Sequence, residues 1–177
     1  DYFRRWHRLV ECSGSLWVHK ASHHFDLLNW WIDSDPESVY ALGSLDHYGK
    51  NGTFRAENCR TCPHTSKCKF YYDITRNQNY MDLYVANGKY DGYLRDGCVF
   101  KNDVNIFDKM AATIRYKNGV QVAYSLTTYS PYEGYRIAFN GTKGRLEAWI
   151  QESRPTSDVN FDELVLFKNF GKREYIQ

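Results

Sequence analysis

Three basic side chains able to hold or pass a proton stand together early in the chain. They are His19, Lys20 and His23, within the stretch Ser13-Gly14-Ser15-Leu16-Trp17-Val18-His19-Lys20-Ala21-Ser22-His23-His24-Phe25-Asp26-Leu27-Leu28-Asn29-Trp30-Trp31. His19 and His23 are four apart, which puts them on one face of a helix, with Lys20 on a neighbouring edge. Histidine titrates near neutrality, and a nearby ammonium lowers its pKa by like-charge repulsion. A group of this kind can take a proton from a hydroxyl. A histidine pair at this spacing also binds zinc, but Lys20 stands where the zinc-protease pattern has its glutamate. The third reading is a solvated, polar helix end.

A helix must position these groups. Ala21, Phe25, Leu28 and Ile32 recur at helical spacing and form one apolar stripe that predicts a buried face. Asp33-Ser34-Asp35-Pro36 ends it, because a residue before proline avoids the helical region. Ser38 to Leu45 reads as a strand. Later, Ala111 to Tyr116 and Val120 to Thr128 flank Lys117-Asn118-Gly119, and Tyr135 to Asn140 and Arg145 to Ile150 flank Gly141-Thr142-Lys143-Gly144. Each is a hairpin signal. Residues 151–160 read as a polar loop, Glu163 to Lys168 as a last strand, and Gly171 to Gln177 as a short tail. A helix followed by antiparallel strands predicts an α+β domain, with helix covering one face of a mostly antiparallel open sheet. The other face is left for solvent, a neighbouring domain or another copy of the chain.

Two further clusters carry chemistry. Arg4, Arg5 and His7 surround Trp6, a basic–aromatic set suited to an anionic or hydroxylated ligand, or else a solvated arm whose indole packs on the body. Residues 46–108 form a long excursion of weak periodicity, with one short helix expected near Cys68 to Ile74. Excursions this long are functional or pinned. The candidate pin is Cys59-x-x-Cys62-x-His64-x-x-x-Cys68 with Cys98 further on, where thiolates at this spacing can reach one tetrahedral zinc. His64 is the alternative fourth ligand to Cys98. Disulfides and plain thiols are the competing readings, and Cys12 has no evident partner.

Composition narrows the classes. With 23 basic and 21 acidic residues the net charge is +2, too balanced for a nucleic-acid partner. No apolar run is long enough for a membrane span, and no signal-peptide pattern is present. The chain opens at Asp1-Tyr2-Phe3 without an initiator Met, which suggests an excised piece of a longer protein. Aromatics reach 17 %, and Tyr and Trp line sugar-binding clefts as well as ordinary cores. Asn51-Gly52-Thr53 and Asn140-Gly141-Thr142 match a glycosylation pattern but read better as turns.

The run Gly14 to Trp31, with His23-His24-Phe25-Asp26 followed by Leu27-Leu28-Asn29-Trp30, resembles the signature helix of the glucose–fructose oxidoreductase/inositol dehydrogenase (Gfo/Idh/MocA) family. Ile114 to Val120, Ser125 and Ile137 to Glu147 are similar to that family's C-terminal sheet. The Cys59/Cys62/Cys68 insertion resembles one found in a subset of the family. The resemblance runs from about residue 3 to about 168. It implies a C-terminal α/β domain on the substrate side of a dehydrogenase whose N-terminal Rossmann domain binds NAD or NADP. The chain has no G-x-G-x-x-G, so no cofactor-binding residues are expected in it. The family's substrate-contacting, acid–base histidine falls on His23, with Asp26 as its companion. His19 stands where the family commonly has Asp, so Lys20 and His19 take supporting roles. The implied substrate is a secondary alcohol of a sugar or polyol derivative, and the sheet face implies a homo-oligomer. Two alternatives remain: an NAD-dependent glycoside hydrolase of the same family, and a non-catalytic binding or scaffold domain. Unpaired, metal-ready thiols favour a bacterial cytoplasm over the periplasm.

Overall fold

The computed structural model describes residues 2–152, 162–171 and 173–175. They fall into two compact units, Asp1–Tyr129 and Ser130–Gln177. Most of the polar loop expected at residues 151–160 lies outside the described residues.

The first unit begins with two 3₁₀ turns, Tyr2–Arg4 and Trp6–Arg8, and three helices in succession: α1 (Val10–Ser13), α2 (Ser15–His19) and α3 (Ala21–Ile32). Gly14 makes the first corner with φ +65°, a left-handed conformation that glycine adopts without steric cost. The predicted stripe is the buried face of α3. Ala21 and Leu28 are buried, and Phe25 and Ile32 pack on Ala112, Ile114 and Tyr116. The Tyr116 hydroxyl donates to Asn29 Oδ1 at 2.8 Å, tying helix to sheet. Helix α3 ends at Asp33, which is left-handed itself (φ +52°). Asp33 therefore closes the helix, ahead of the proline expected to do so.

Three antiparallel strands follow in the order β1–β2–β3: β1 (Pro36–Ser44), β2 (Lys109–Tyr116) and β3 (Gln121–Thr127). In β2, Met110, Ala112, Ile114 and Tyr116 are buried while Lys109, Ala111, Thr113 and Arg115 are exposed, the two-residue alternation of a sheet covered on one face. The Lys117-Asn118-Gly119 turn joins β2 to β3, with Gly119 at φ +87°. Strand β1 pairs along its length with β2, yet both its faces are open: Val39 is 67 % exposed on the helix side and Tyr40 68 % on the other.

The excursion at residues 46–108 differs from expectation. Helical turns occur at Thr65–Lys67, just before the span near Cys68 to Ile74 where one helix was predicted, and at Ile74–Arg76, which begins at its last residue. Short α4 (Gln78–Tyr80) runs into a π turn, Met81–Val85, and α5 (Gly88–Asp91) follows. Its anchors are buried polar groups. Asp108, fully buried, accepts the backbone N–H groups of Asp46, His47 and Tyr48 at 2.8–2.9 Å and so fixes where the excursion leaves β1 and returns to β2. Asp96, also fully buried, pairs with Arg60 at 2.8 Å. Asn58 bridges Gly97. A core of Phe3, Leu16, Tyr48, Val99, Phe100, Val104, Ile106 and Met110 packs beneath these anchors.

The second unit is one four-stranded antiparallel sheet in the order β4–β5–β6–β7: β4 (Gly134–Gly141), β5 (Gly144–Gln151), β6 (Glu163–Lys168) and β7 (Arg173–Tyr175). The second predicted hairpin is β4–β5. The stretch expected as a tail contributes β7, too short to show a two-residue pattern in sequence. The α+β class with antiparallel sheets is as expected, and among the described residues the strands bond into two sheets.

Candidate functional site

Ser13 folds the N-terminal arm back onto α2. Its hydroxyl donates to His7 O at 2.9 Å and to Leu9 O at 3.1 Å, and its Oγ accepts the Ser15 backbone N–H at 3.0 Å. The arm's His7 is thereby brought against His19 at the end of α2, with ring centroids 4.7 Å apart. Tyr2 packs on both imidazoles, at 4.9 and 5.5 Å. Trp6 stacks on His7 at 3.7 Å with its plane tilted only 20°. His7 is 5 % exposed and Trp6 42 %, so the stack is buried in the middle and open at its indole end.

The charges around this stack are basic. Burial is the main cause that pushes His7 down to about pKa 4. Arg5, His19, Lys20 and Arg95 add to it, each disfavouring a proton on the imidazole. Arg95 lies over the rings of Tyr80 and Tyr84, both at 5.0 Å. Arg5 Nε, His7 Nδ1 and His19 Nδ1 are buried with no hydrogen-bond partner among the described residues.

The proposed pairing of His19 with His23 on one helical face does not form. The helix breaks at Lys20, the C-cap of α2 and N-cap of α3 at φ −119°. His19 ends α2, half-buried against His7. His23 lies in the first turn of α3 and is exposed, as are Lys20 and Asp26. The neighbouring His24 points to the sheet, its Nδ1 2.8 Å from the Tyr124 hydroxyl. Burial pushes Tyr124 up to about 12, so this phenol remains an O–H group.

Of the four residues expected in the arm's ligand set, Arg5, Trp6 and His7 gather here and Arg4 does not. The Arg4 guanidinium is buried, donating to Phe70 O at 2.5 Å, Gly97 O at 3.1 Å and Cys59 Sγ at 3.3 Å. Gly97 lets the Arg4 main chain pass close by, since a Cβ there would sit 2.2 Å from the Arg4 carbonyl oxygen. Sequence reasoning missed the union of His7 with His19. It depends on the arm folding back through Ser13, which leaves no periodic signal.

Cys59, Cys62, Cys68 and Cys98 line one small apolar cavity with Arg4, Phe70 and Phe100. All are free thiols. Zinc was the group expected there, held by Cys59, Cys62, Cys68 and either Cys98 or His64. Among the described residues no three His, Cys, Asp or Glu side chains come together to hold a metal. The His64 ring packs at a tilt on Phe54, with centroids 4.8 Å apart. Arg4 and the ion pair of Arg60 with buried Asp96 hold the excursion.

The family of oxidoreductases described by its C-terminal alpha/beta domain matches residues 1–161. The chain belongs to the Gfo/Idh/MocA oxidoreductase family, as this C-terminal domain. It is also similar to the protein named putative oxidoreductase YteT of Bacillus subtilis (strain 168), at 38 % identity over 161 residues, which cover 84 % of this chain and 38 % of YteT. The chain thus spans under half the length of that relative. Among the described residues no helix is long and apolar enough to cross a membrane.

Proposed function

We propose that this chain is the substrate-side domain of an NAD(P)-dependent dehydrogenase that oxidises a secondary alcohol on a sugar or polyol derivative. One observation carries the reading. His23, at the position of the family's acid–base histidine, is exposed in the first turn of α3 beside exposed Lys20 and Asp26, and half-buried His19, packed on buried His7, closes the preceding turn. A nicotinamide cofactor held by an N-terminal Rossmann domain outside this chain would supply the hydride acceptor. His23 accepts the hydroxyl proton while the carbinol carbon gives up its hydride, leaving a carbonyl. Lys20 holds a neighbouring oxygen, and the buried ring stack fixes the turn so that both groups keep their places. The open faces of β1, with Val39, Tyr40 and Leu42 exposed, suit association with a second copy of the chain. Five free cysteines suit a reducing cytoplasm.

The test is His23→Ala in the intact protein, assayed by nicotinamide reduction over a panel of sugars and polyols. Turnover should fall about a hundredfold or more with binding retained. A loss of less than about threefold removes His23 as the base. Release of free sugar without net nicotinamide reduction would point to the hydrolytic alternative.

A further inference from the structure

Four of the five free thiols reach the wall of one cavity from three stretches of the excursion. The cavity admits about 10 Å³, the space of a single water molecule. It has no room for a sugar, so the chemistry it offers these sulfurs is chemistry with one another. The backbone decides which two can bond. Cys62 N donates to Cys59 O at 3.3 Å, which closes a four-residue turn from Cys59 to Cys62. Such a turn brings its end Cα atoms within about 7 Å, and a disulfide spans about 4.4–6.8 Å between Cα atoms. Cys98 is placed otherwise. Around the Asn58–Gly97 bridge, Cys59 N donates to Asp96 O at 2.9 Å and Cys98 N to Glu57 O at 3.2 Å. Cys59 and Cys98 therefore stand on a diagonal, where paired strands hold residues about 7–8 Å apart, outside disulfide range. Cys68 N donates to Thr65 O at 3.4 Å, so its turn includes no second cysteine.

The two sulfurs of the Cys59–Cys62 turn are held in place and differ in access. Arg4 Nη1 donates to Cys59 Sγ at 3.3 Å, and His64 N donates to Cys62 Sγ at 3.4 Å. Cys59 is 7 % exposed and Cys62 is half-buried, so a small oxidant reaches Cys62 first.

We propose that Cys59 and Cys62 form a redox-active pair, which a peroxide oxidises to a reversible disulfide. The Cys62 sulfur attacks one peroxide oxygen and the O–O bond breaks, leaving a sulfenic acid on Cys62 and releasing water. The Cys59 sulfur then attacks the Cys62 sulfur. The S–O bond breaks, the S–S bond forms, and the Cys59 proton leaves in a second water. Two thiols give up two electrons, and one peroxide is reduced to two waters. In a reducing compartment a disulfide of this kind is transient and redox-sensing. It forms at the sulfur that Arg4 touches, where the N-terminal arm is fastened to the excursion. The pair is independent of His23 and of the dehydrogenase reading.

The experiment treats the intact protein, carrying Cys12→Ser to remove the exposed thiol that does not line the cavity, with hydrogen peroxide. The remaining thiols are alkylated, and the chain is cut with trypsin and weighed. Trypsin cleaves after Arg60, so the disulfide appears as two peptides held together, one with Cys59 and one with Cys62. Dithiothreitol should part them and make both thiols alkylatable again. Cys68 and Cys98 should be alkylated with or without peroxide. Cys62→Ser should abolish the linked peptides, and Cys59→Ser should leave a sulfenic acid on Cys62 that dimedone captures. The mapping of the otherwise unaltered chain decides the matter if either variant fails to fold. Full alkylation of Cys59 and Cys62 after peroxide that oxidises free glutathione overturns the proposal. So does a disulfide joining any other two cysteines of the set, or one that dithiothreitol does not reverse.

Discussion

His7 should be the most acid-shifted histidine in the first unit, and its titration tests the account of the buried stack. Its ordinary value is 6.5, and burial first, then Arg5, His19, Lys20 and Arg95, push it down to about 4. The folded chain therefore takes up this proton later than the unfolded chain does. Between pH 6.5 and 4 the unfolded state holds the extra proton, so His7 lowers stability as pH falls through that window and has no further effect below it. At about 1.36 kcal/mol for each tenfold change, the full effect is about 3 kcal/mol, of which about 2 kcal/mol has appeared at pH 5. Carboxylates titrate in the same range, so the His7→Gln variant is the reference. The stability gap between the two chains, from urea unfolding followed by tryptophan fluorescence, should move by about 2 kcal/mol in the variant's favour between pH 7.5 and pH 5. Imidazole NMR should place the His7 midpoint near 4. Arg5→Gln should raise it without restoring 6.5, since burial is the larger cause. A His7 midpoint at or above about 6, or a gap that does not change with pH, refutes the reasoning.

Two further outcomes follow from the buried polar anchors. Asp108→Asn puts an amide nitrogen against backbone N–H groups that now meet a carboxylate. Losing one or two charge-assisted bonds should lower the urea midpoint by an amount equivalent to about 2–4 kcal/mol, and a change under about 0.5 kcal/mol would show that Asp108 does not hold the excursion. If Arg4 rather than zinc pins the cysteine region, EDTA should leave Tm unchanged. Arg4→Ala should then cost about 3 kcal/mol, by orphaning Phe70 O and Gly97 O. A Tm drop on chelation would reverse that assignment.

What was legible in the sequence was local. The stripe Ala21, Phe25, Leu28, Ile32 announced the buried face of α3 because burial and helical period coincide there. The Asn118-Gly119 turn announced the β2–β3 hairpin because only a few residue pairs suit so tight a turn. What was hidden was set by distant partners. Arg4 belongs to Phe70, Cys59 and Gly97, and Asp108 belongs to residues 46–48. Neither pairing leaves a periodic trace. Spacing alone could not show the guanidinium that reaches Cys59 from residue 4. In the same way β7 left no two-residue pattern, being three residues long.

The break at Lys20 joins the fold to the chemistry. On a continuous helix, His19 and His23 would share one face and compete for one environment. With the helix interrupted, the two histidines part. His19 turns inward, to His7, and His23 is left on the exposed first turn of α3. The stretch thereby does two things: half-buried His19 braces the turn against buried His7, and His23 is left exposed on the first turn of α3. A substitution that repaired the helix, such as Lys20→Ala, would remove a cation and ease the break at once. Its effect should therefore appear both in the His7 midpoint, which should rise, and in turnover, which should fall even where His23 itself is intact. A rise in the His7 midpoint with turnover unchanged would separate the two purposes and leave Lys20 a purely electrostatic neighbour.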